Sequence, residues 1–402
     1  MKILQVIHGF PPYYMAGSEV YTYNLTNELS KNNEVFIFTR IENPFMKPFE
    51  TIEEKIKNLN IYRINNPTPE YSIERKYLNK NIDKIFEEFL AKIKPDIVHI
   101  QHLSHLSTNI VNIVKDYNIP IVFTIHDFWM FCLRGQLLTR DYQICKGPDE
   151  KECISCLWYL NTNEQNFSTY KKHMEEIINK INIFLAPSKT VRDFFIRNGI
   201  NENKVILSKY GFDKTKIKYR RKRFEKNQGI TFGFVGRIIP AKGIHILIEA
   251  FNRTKNKNNS VLKIFGSLGN LKTYLESLAG KNIYFMGGFN NEEIDKILDE
   301  IDILVVPSIW YENSPLVIQE AFLKGIPVIT SNIGGMAELV EDGKNGFLFK
   351  IGDIEDLKNK TEMIMENPTI LNNLDINPKE VRDIKEDAKS IQRIYEDLLC
   401  QN

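Results

Sequence analysis

Short continuous runs of apolar residues alternate along this chain with longer segments whose apolar residues recur every three or four positions. In the first half the runs are Lys2–Ile7, Val35–Thr39, Ile61–Ile64, Ile97–Ile100, Ile121–Ile125, Ile183–Ala186 and Val205–Leu207. In the second half they are Ile230–Val235, Val261–Phe265, Ile283–Phe285, Ile303–Val306, Val328–Thr330 and Gly346–Phe349. Mostly apolar runs of this length suit parallel strands covered on both faces. The segments between them, including Ile73–Ile93 and Ile354–Met365, carry helical spacing. The pattern predicts two doubly wound parallel α/β sheets in succession. It places a first domain at 1–212 and a second at 229–380. The stretch 213–228 between them is polar and strongly basic, and reads as a linker; a nucleic-acid patch is the alternative. An amphipathic helix over Val381–Leu399 closes the chain within 381–402.

Composition narrows the classes. The 402 residues are 43% hydrophobic and 26% charged, an ordinary globular balance. Lys and Arg number 53 against 51 Asp and Glu, so the net charge of +2 creates no field that calls for nucleic acid. No apolar run approaches the ~20 residues of a membrane span. The apolar run in MKILQVIHGF is too short for a signal peptide. A cytoplasmic protein is expected, with room for peripheral contact at the inner face of a membrane.

The segment IWYENSPLVIQEAFLKGIPVITSNIGG, from Ile309 to Gly335, carries the most chemistry. Ser314 and Pro315 read as the N-cap and first position of a helix that ends near Gly325. Glu312 then lies in the loop before that helix and Glu320 on it, sharing a face with Leu316 and Leu323. A helix N-terminus offers free N–H groups and partial positive charge, suited to phosphate. A carboxylate on a half-apolar face needs donors, and sugar hydroxyls supply them. Upstream, ITFGFVGRIIPAKGIHILIEAF places Arg237 and Lys242 just after a strand, where open α/β sheets bind ligands. Arg offers a planar fork to phosphate oxygens and Lys a mobile charge.

Together these segments resemble retaining glycosyltransferases of family 4, which have the GT-B architecture of two Rossmann-like domains facing across a cleft. ILQVIHGFPPYYMAGSEVYTYNLTNEL looks like that family's first strand, glycine-bearing loop and helix. FLAPSKTVRDFFIRNGI and VILSKYGFD match in layout. The resemblance implies that the first domain binds the acceptor and the second a nucleotide sugar, UDP- or GDP-linked. It implies that Glu320 holds the ribose hydroxyls and Glu312 the hydroxyls of the donor sugar. Backbone groups of Ser314, Pro315, Leu316 and Val317 would meet sugar or phosphate. Gly17 would let backbone approach the diphosphate or the acceptor. His126, directly after the strand IVFTI, would contact the donor sugar. The terminal helix would cross back to the first domain. The chain departs from the family pattern at Ala16-Gly17, usually a glycine pair, at Pro315, often a residue with an N–H, and at Tyr210, usually Asn before the interdomain turn Gly211–Asp213.

No Asp-x-Asp motif flanks a strand end, so charge on the departing diphosphate falls to Arg237, Lys242 and the helix start at Pro315, a metal-independent scheme without a catalytic cofactor. His99, His102 and His105 do not define a metal site by their spacing; His102, just past a strand end, is a candidate acceptor contact. Ser188 reads as a helix N-cap.

Four of the five cysteines, Cys132, Cys145, Cys153 and Cys156, crowd into an insert at 128–160. In a protein without secretory features they argue against disulfides. A structural zinc held by all four thiolates is the favoured reading; an iron–sulfur cluster or four reduced thiols are the alternatives.

The expected protein is a retaining transferase that moves a sugar from a nucleotide donor to a glycan or lipid-linked acceptor, such as a cell-envelope or polysaccharide precursor, with no nucleic-acid partner. Two other readings stay open. A glycoside hydrolase would use two acids ~5–9 Å apart and leave the phosphate-binding cations idle. A non-catalytic zinc protein binding nucleotide or nucleic acid would leave both glutamates unexplained.

Overall fold

The computed structural model describes residues 1–67, 72–255 and 259–401, arranged as two units. One comprises Met1–Phe212 with Arg382–Asn402, the other Asp213–Val381.

The first unit holds an eight-stranded sheet: β1 (Lys2–Ile7), β2 (Glu34–Ile41), β3 (Thr51–Ile56), β4 (Leu59–Asn65), β5 (Ile97–Ile100), β6 (Ile121–Thr124), β7 (Ile183–Ala186) and β8 (Val205–Leu207). Their order is β3-β4-β2-β1-β5-β6-β7-β8. Every pairing is parallel except β3 on β4. The chain runs outward from β1 through β2, then returns to β5 on the other side, with Leu4 opposite Phe36 and Val98. That reversal opens a crevice beyond the C-terminal ends of β1 and β5. β5 and β6 are buried at every position, which is why they read as mostly apolar runs.

β3 was not expected. Its sequence TIEEKI alternates exposed and half-buried residues at the sheet edge, and charge is how such edges avoid further pairing. One of its acids is structural. Glu54 accepts from the guanidinium of fully buried Arg63, which also donates to the carbonyls of Phe10 and Pro11. This ties the loop after β1 to the sheet. The helix expected over Ile73–Ile93 divides into a short turn, Glu74–Lys76, and a helix, Lys80–Ile93. Asn79 accounts for the break, since its side chain caps the N–H groups of Asn81 and Ile82.

The terminal helix Ile384–Cys400 belongs to the first unit. Buried Asp387 anchors it, accepting from the Gly211 N–H and the Tyr21 hydroxyl, each at 2.9 Å, and pairing with Arg382 at 3.1 Å. A Cβ on Gly211 would stand 2.5 Å from Cβ of Asp387, so only glycine admits this approach.

The second unit holds a parallel six-stranded sheet: β9 (Thr231–Val235), β10 (Val261–Phe265), β11 (Ile283–Gly287), β12 (Ile303–Val306), β13 (Val328–Ser331) and β14 (Gly346–Phe349). The order β11-β10-β9-β12-β13-β14 puts its switch point between β9 and β12. Residues 213–228, read from sequence as a linker, are mostly exposed but are pinned to this unit at Arg221, Lys222 and Phe224. The Arg221 guanidinium donates to the carbonyls of Gly325, Leu371 and Leu374, and the Lys222 ammonium to Asp302 and the carbonyls of Asp299 and Ile301. Phe224 is buried in the core. Arg221 and Lys222 are thereby committed to the fold. Among the described residues no helix is long and apolar enough to cross a membrane.

Candidate active site

In the second unit the loops leaving β9 and β12 are stitched together. The Ile309 N–H donates to the carbonyl of Ala241 at 2.9 Å. Lys242 ends a tight turn, Pro240–Lys242, and Gly243 follows with φ 68°. A Cβ on Gly243 would lie 1.9 Å from the Pro307 carbonyl oxygen, so glycine is required where the loops touch. This contact brings Lys242 onto Glu312, far away in sequence. Glu312 is 6% exposed, and one oxygen, Oε1, takes three donors: the Lys242 ammonium, the Ser308 hydroxyl at 2.7 Å and the Trp310 indole N–H at 2.9 Å. The ammonium also lies 5.8 Å from the Trp310 ring centroid. Gly334 and Gly335 pack against the loop from behind, and the Gly335 N–H donates to the Glu312 carbonyl at 2.8 Å. A Cβ on Gly335 would stand 1.5 Å from the Asn313 carbonyl oxygen. Arg237 is exposed after β9 and forms no ion pair among the described residues.

The helix after this loop runs Leu316–Lys324 and ends at Gly325 in a left-handed conformation, as its sequence suggests. Its start lies one residue later than expected. Pro315, not Ser314, occupies the N-cap position, and no side chain caps this end. The reason is chemical: proline's fixed φ and missing N–H suit the boundary, while its ψ of 118° keeps it outside the helix. The N–H groups of Leu316 and Val317 precede the first intrahelical donor, Ile318, which bonds the Pro315 carbonyl. The Glu320 side chain, half-buried on this helix, has no hydrogen-bond partner among the described residues. Burial pushes its carboxyl up to about 7, against the opposing pull of Lys216.

In the first unit, histidines leave the C-terminal ends of β1, β5 and β6. His126 is held at both ring nitrogens, by the Tyr210 hydroxyl at 2.6 Å and Gln101 Oε1 at 2.8 Å. Gln101 Oε1 can only accept, so Nε2 carries the proton and Nδ1 accepts from Tyr210. Burial lowers the imidazole to about 3. To touch a sugar through nitrogen, His126 must exchange one of these partners. His102 Nε2 faces both Asp127 oxygens at 3.3 Å, and its Nδ1 accepts from the Ser104 N–H. Burial opposes charge on Asp127, yet His102 and the Trp129 N–H hold its carboxyl below the ordinary value. His8, not singled out from sequence, pairs through Nε2 with Glu19 at 3.2 Å and packs 4.5 Å from the His102 ring. Burial and then His102 lower its imidazole. Burial also opposes charge on Glu19, but bonds from His8, a backbone N–H and Ser18 bring that carboxyl down to about 2. His8 Nδ1 is buried with no partner among the described residues. The strand-end logic that singled out His126 applies equally to His8 after β1. Gly17 is exposed at the start of the helix Gly17–Leu29, whose N-terminus no side chain caps. His99 is a core residue of β5, bonded to Tyr395 and Thr124.

Two family models match the chain. Glycosyltransferase Family 4 covers residues 15–215, half of the sequence, and Glycosyl transferases group 1 covers 215–388. The chain belongs to glycosyltransferase family 4. An uncharacterized glycosyltransferase of Methanocaldococcus jannaschii is 28% identical over 86% of this chain and 84% of that protein. A putative colanic acid biosynthesis glycosyltransferase of Salmonella typhimurium is 26% identical over 49% of this chain and 50% of its own. Among solved structures, sucrose-phosphate synthase from Thermosynechococcus elongatus superposes with a TM-score of 0.72 at 18% identity, covering 100% of this chain and 99% of that one. Anabaena HepE, in complex with UDP and glucose, superposes at 0.70 and 17% identity, covering 99% and 100%. These likenesses and the two parallel sheets establish the GT-B fold.

The transferase carries its cysteines in a compact insert. A tight hairpin closes at Leu138 and Ile144, a helix Glu150–Cys156 follows, and Phe128 and Phe131 dock on Phe194 and Phe195. All four insert cysteines are free and half-buried. Burial raises the Cys145 thiol and pushes that of Cys153 up to about 12. Among the described residues no three His, Cys, Asp or Glu side chains already stand in metal-holding geometry. Ser188 caps the helix Lys189–Arg197, accepting from the Val191 N–H.

Proposed function

We propose that this transferase moves a sugar from a nucleoside-diphosphate donor to an acceptor hydroxyl, retaining the anomeric configuration and using no metal in the chemical step. The Lys242–Glu312 pairing at the β9/β12 switch point carries the reading. Glu312 holds the ammonium by one of its three N–H donors, leaving the others for phosphate oxygens. Arg237 and the uncapped N–H groups of Leu316 and Val317 add positive potential. As the bond to the diphosphate breaks, its negative charge grows against these groups. Glu312 Oε2 takes none of the three donors on Oε1 and remains to meet a sugar hydroxyl. Glu320 takes the ribose hydroxyls, the donors its carboxyl lacks. The leaving phosphate serves as base for the acceptor. The strand-end cluster of His8, His102 and Asp127 forms the acceptor side, and His126 is kept for the donor sugar, as the family resemblance implies. No step uses the four cysteines.

UDP sugars are the first donors to test, because HepE is seen with UDP and glucose. The relative named for colanic acid biosynthesis favours a polysaccharide or cell-envelope acceptor. Calorimetry separates the two glutamates. Glu320→Gln should weaken free nucleoside diphosphate and nucleotide sugar alike, since both carry the ribose. Glu312→Gln should weaken the nucleotide sugar more. Equal losses for both variants on both ligands would overturn these roles, and an inverted anomer in the first product would overturn retention.

A further inference from the structure

The four insert cysteines reach one small cavity from three separate pieces of chain. Cys132 sits on the turn after Phe128, its N–H bonded to the Phe128 carbonyl at 2.8 Å. Cys145 lies on the return side of the hairpin, its N–H bonded to the Leu137 carbonyl at 2.8 Å. Cys153 and Cys156 come from the helix Glu150–Cys156, which has no buried residue of its own to hold it in place. The cavity measures about 30 Å³, close to one water's share of the liquid and enough for a single ion.

A second observation points to an occupant. Tyr170 lines the same cavity, is 3% exposed, and its hydroxyl has no hydrogen-bond partner among the described residues. Leaving a buried donor unpaired typically costs about 1–3 kcal/mol. Neutral thiols accept hydrogen bonds weakly, whereas a metal-bound thiolate accepts well, and such outer donors orient ligands at thiolate sites.

We propose that Cys132, Cys145, Cys153 and Cys156 close as four thiolates on one structural zinc ion, with the Tyr170 hydroxyl donating to one of the sulfurs. Four S–H bonds break, four Zn–S bonds form, and the protons leave to solvent; nothing is oxidised or reduced. Closure requires the sulfurs to swing about their Cα–Cβ bonds to reach ~2.3 Å from the ion. The closed site carries a charge of about −2, and Arg134 in the cavity wall offsets part of it. With four protein ligands the ion has no open position, so its role is to fasten the insert. The fastened turn also backs the acceptor-side cluster. The Phe128 N–H donates to the Gly135 carbonyl at 3.1 Å, and a Cβ on Gly135 would lie 2.8 Å from Asp127 Oδ2.

Elemental analysis of the full chain, purified without chelator, tests this apart from any activity. About one zinc per chain is expected. With the chain unfolded in denaturant, a strong chelator should raise the titratable thiols from one, the exposed Cys400 that reacts in the native metal-bound protein, to all five. Cobalt(II) added to stripped protein should give the intense sulfur-to-metal charge-transfer bands of a tetrahedral four-thiolate site. Tyr170→Phe should keep the stoichiometry but lose roughly 10–100-fold in zinc affinity against a chromophoric chelator; unchanged affinity would remove the tyrosine from the site. Cys400→Ser should keep its metal. Folded, metal-free protein whose insert thiols all titrate would overturn the proposal. So would a disulfide among the four, or iron with acid-labile sulfide.

Discussion

Glu320 gives the sharpest link between geometry and measurement. Its carboxyl titrates near 7 in the folded protein because burial opposes its charge more than Lys216 relieves it. An ordinary glutamate titrates at 4.5. A tenfold change in proton affinity is worth about 1.4 kcal/mol, so the rise from 4.5 to about 7 amounts to about 3 kcal/mol. The sign follows from proton counting. Below the unfolded value both states hold the proton and no penalty exists. Between 4.5 and about 7 the unfolded chain has lost its proton while the native one keeps it, so native stability falls as pH rises. Above about 7 the full penalty is present. Glu320→Gln has no such proton. Denaturant unfolding of both proteins from pH 4.5 to 8 should therefore show the wild type losing up to about 3 kcal/mol relative to the variant, with the difference levelling above pH 7.5. Ribose hydroxyls donating to the carboxylate would reverse the bias. Binding a nucleoside diphosphate near pH 6.5 should then release a proton, detectable by calorimetry in buffers of different ionisation enthalpy. Parallel stability profiles for the two proteins would refute the argument, as would binding without proton release in the wild type.

Arg237→Ala and Lys242→Ala should each lower turnover roughly a hundred- to thousand-fold, the usual cost of one transition-state donor, about 2.7–4 kcal/mol; near-normal turnover by either folded variant would remove that residue from the mechanism. The imidazole signals of His99 and His126 should stay flat between pH 5 and 8 in NMR titrations, since burial holds both near 3; a midpoint near 6.5 for His126 would mean that the Tyr210 and Gln101 bonds are not persistent.

Most of the fold was legible because strands buried on both faces are mostly apolar. β1, β5, β7, β8, β10, β12 and β14 have the boundaries their sequence suggests. β3 was hidden because an edge strand keeps its charges, and TIEEKI has no apolar run to find. The divided helix before β5 turned on Asn79, whose side chain outweighs the apolar spacing that continues through it. Within 213–228, composition gave no sign that Arg221 and Lys222 bond carbonyls of the fold rather than solvent.

At the site, residue types were legible and pairings were not. Arg237, Lys242, Glu312 and Glu320 stand out by their place after strands and on a helix. That Lys242 and Glu312 bond directly follows from the contact between the β9 and β12 loops, a tertiary fact that depends on Gly243. The packing role of Gly334 and Gly335 behind Glu312 has the same origin. His8 needed only the strand-end argument already applied to His126, whereas Glu19, in the first turn of the helix Gly17–Leu29, is tied to it by a tertiary contact. The convergence of four thiols was foreshadowed by their crowding in the sequence, but Tyr170 joins them from a separate helix, Glu164–Lys180, with no local signal.

The central claim is that the unit Asp213–Val381 binds nucleotide sugars at the β9/β12 switch point. A thermal-shift screen of nucleoside diphosphates and nucleotide sugars against the full chain, wild type and Arg237→Ala, tests it most directly. A true ligand at ~100 times its dissociation constant adds about 2.7 kcal/mol, which for a unit of this size raises the transition by roughly 5–10 °C. At least one diphosphate and its sugar conjugate should do so in the wild type, with a smaller rise in the variant. No shift from any of them at millimolar concentration, or equal shifts in both proteins, would contradict it.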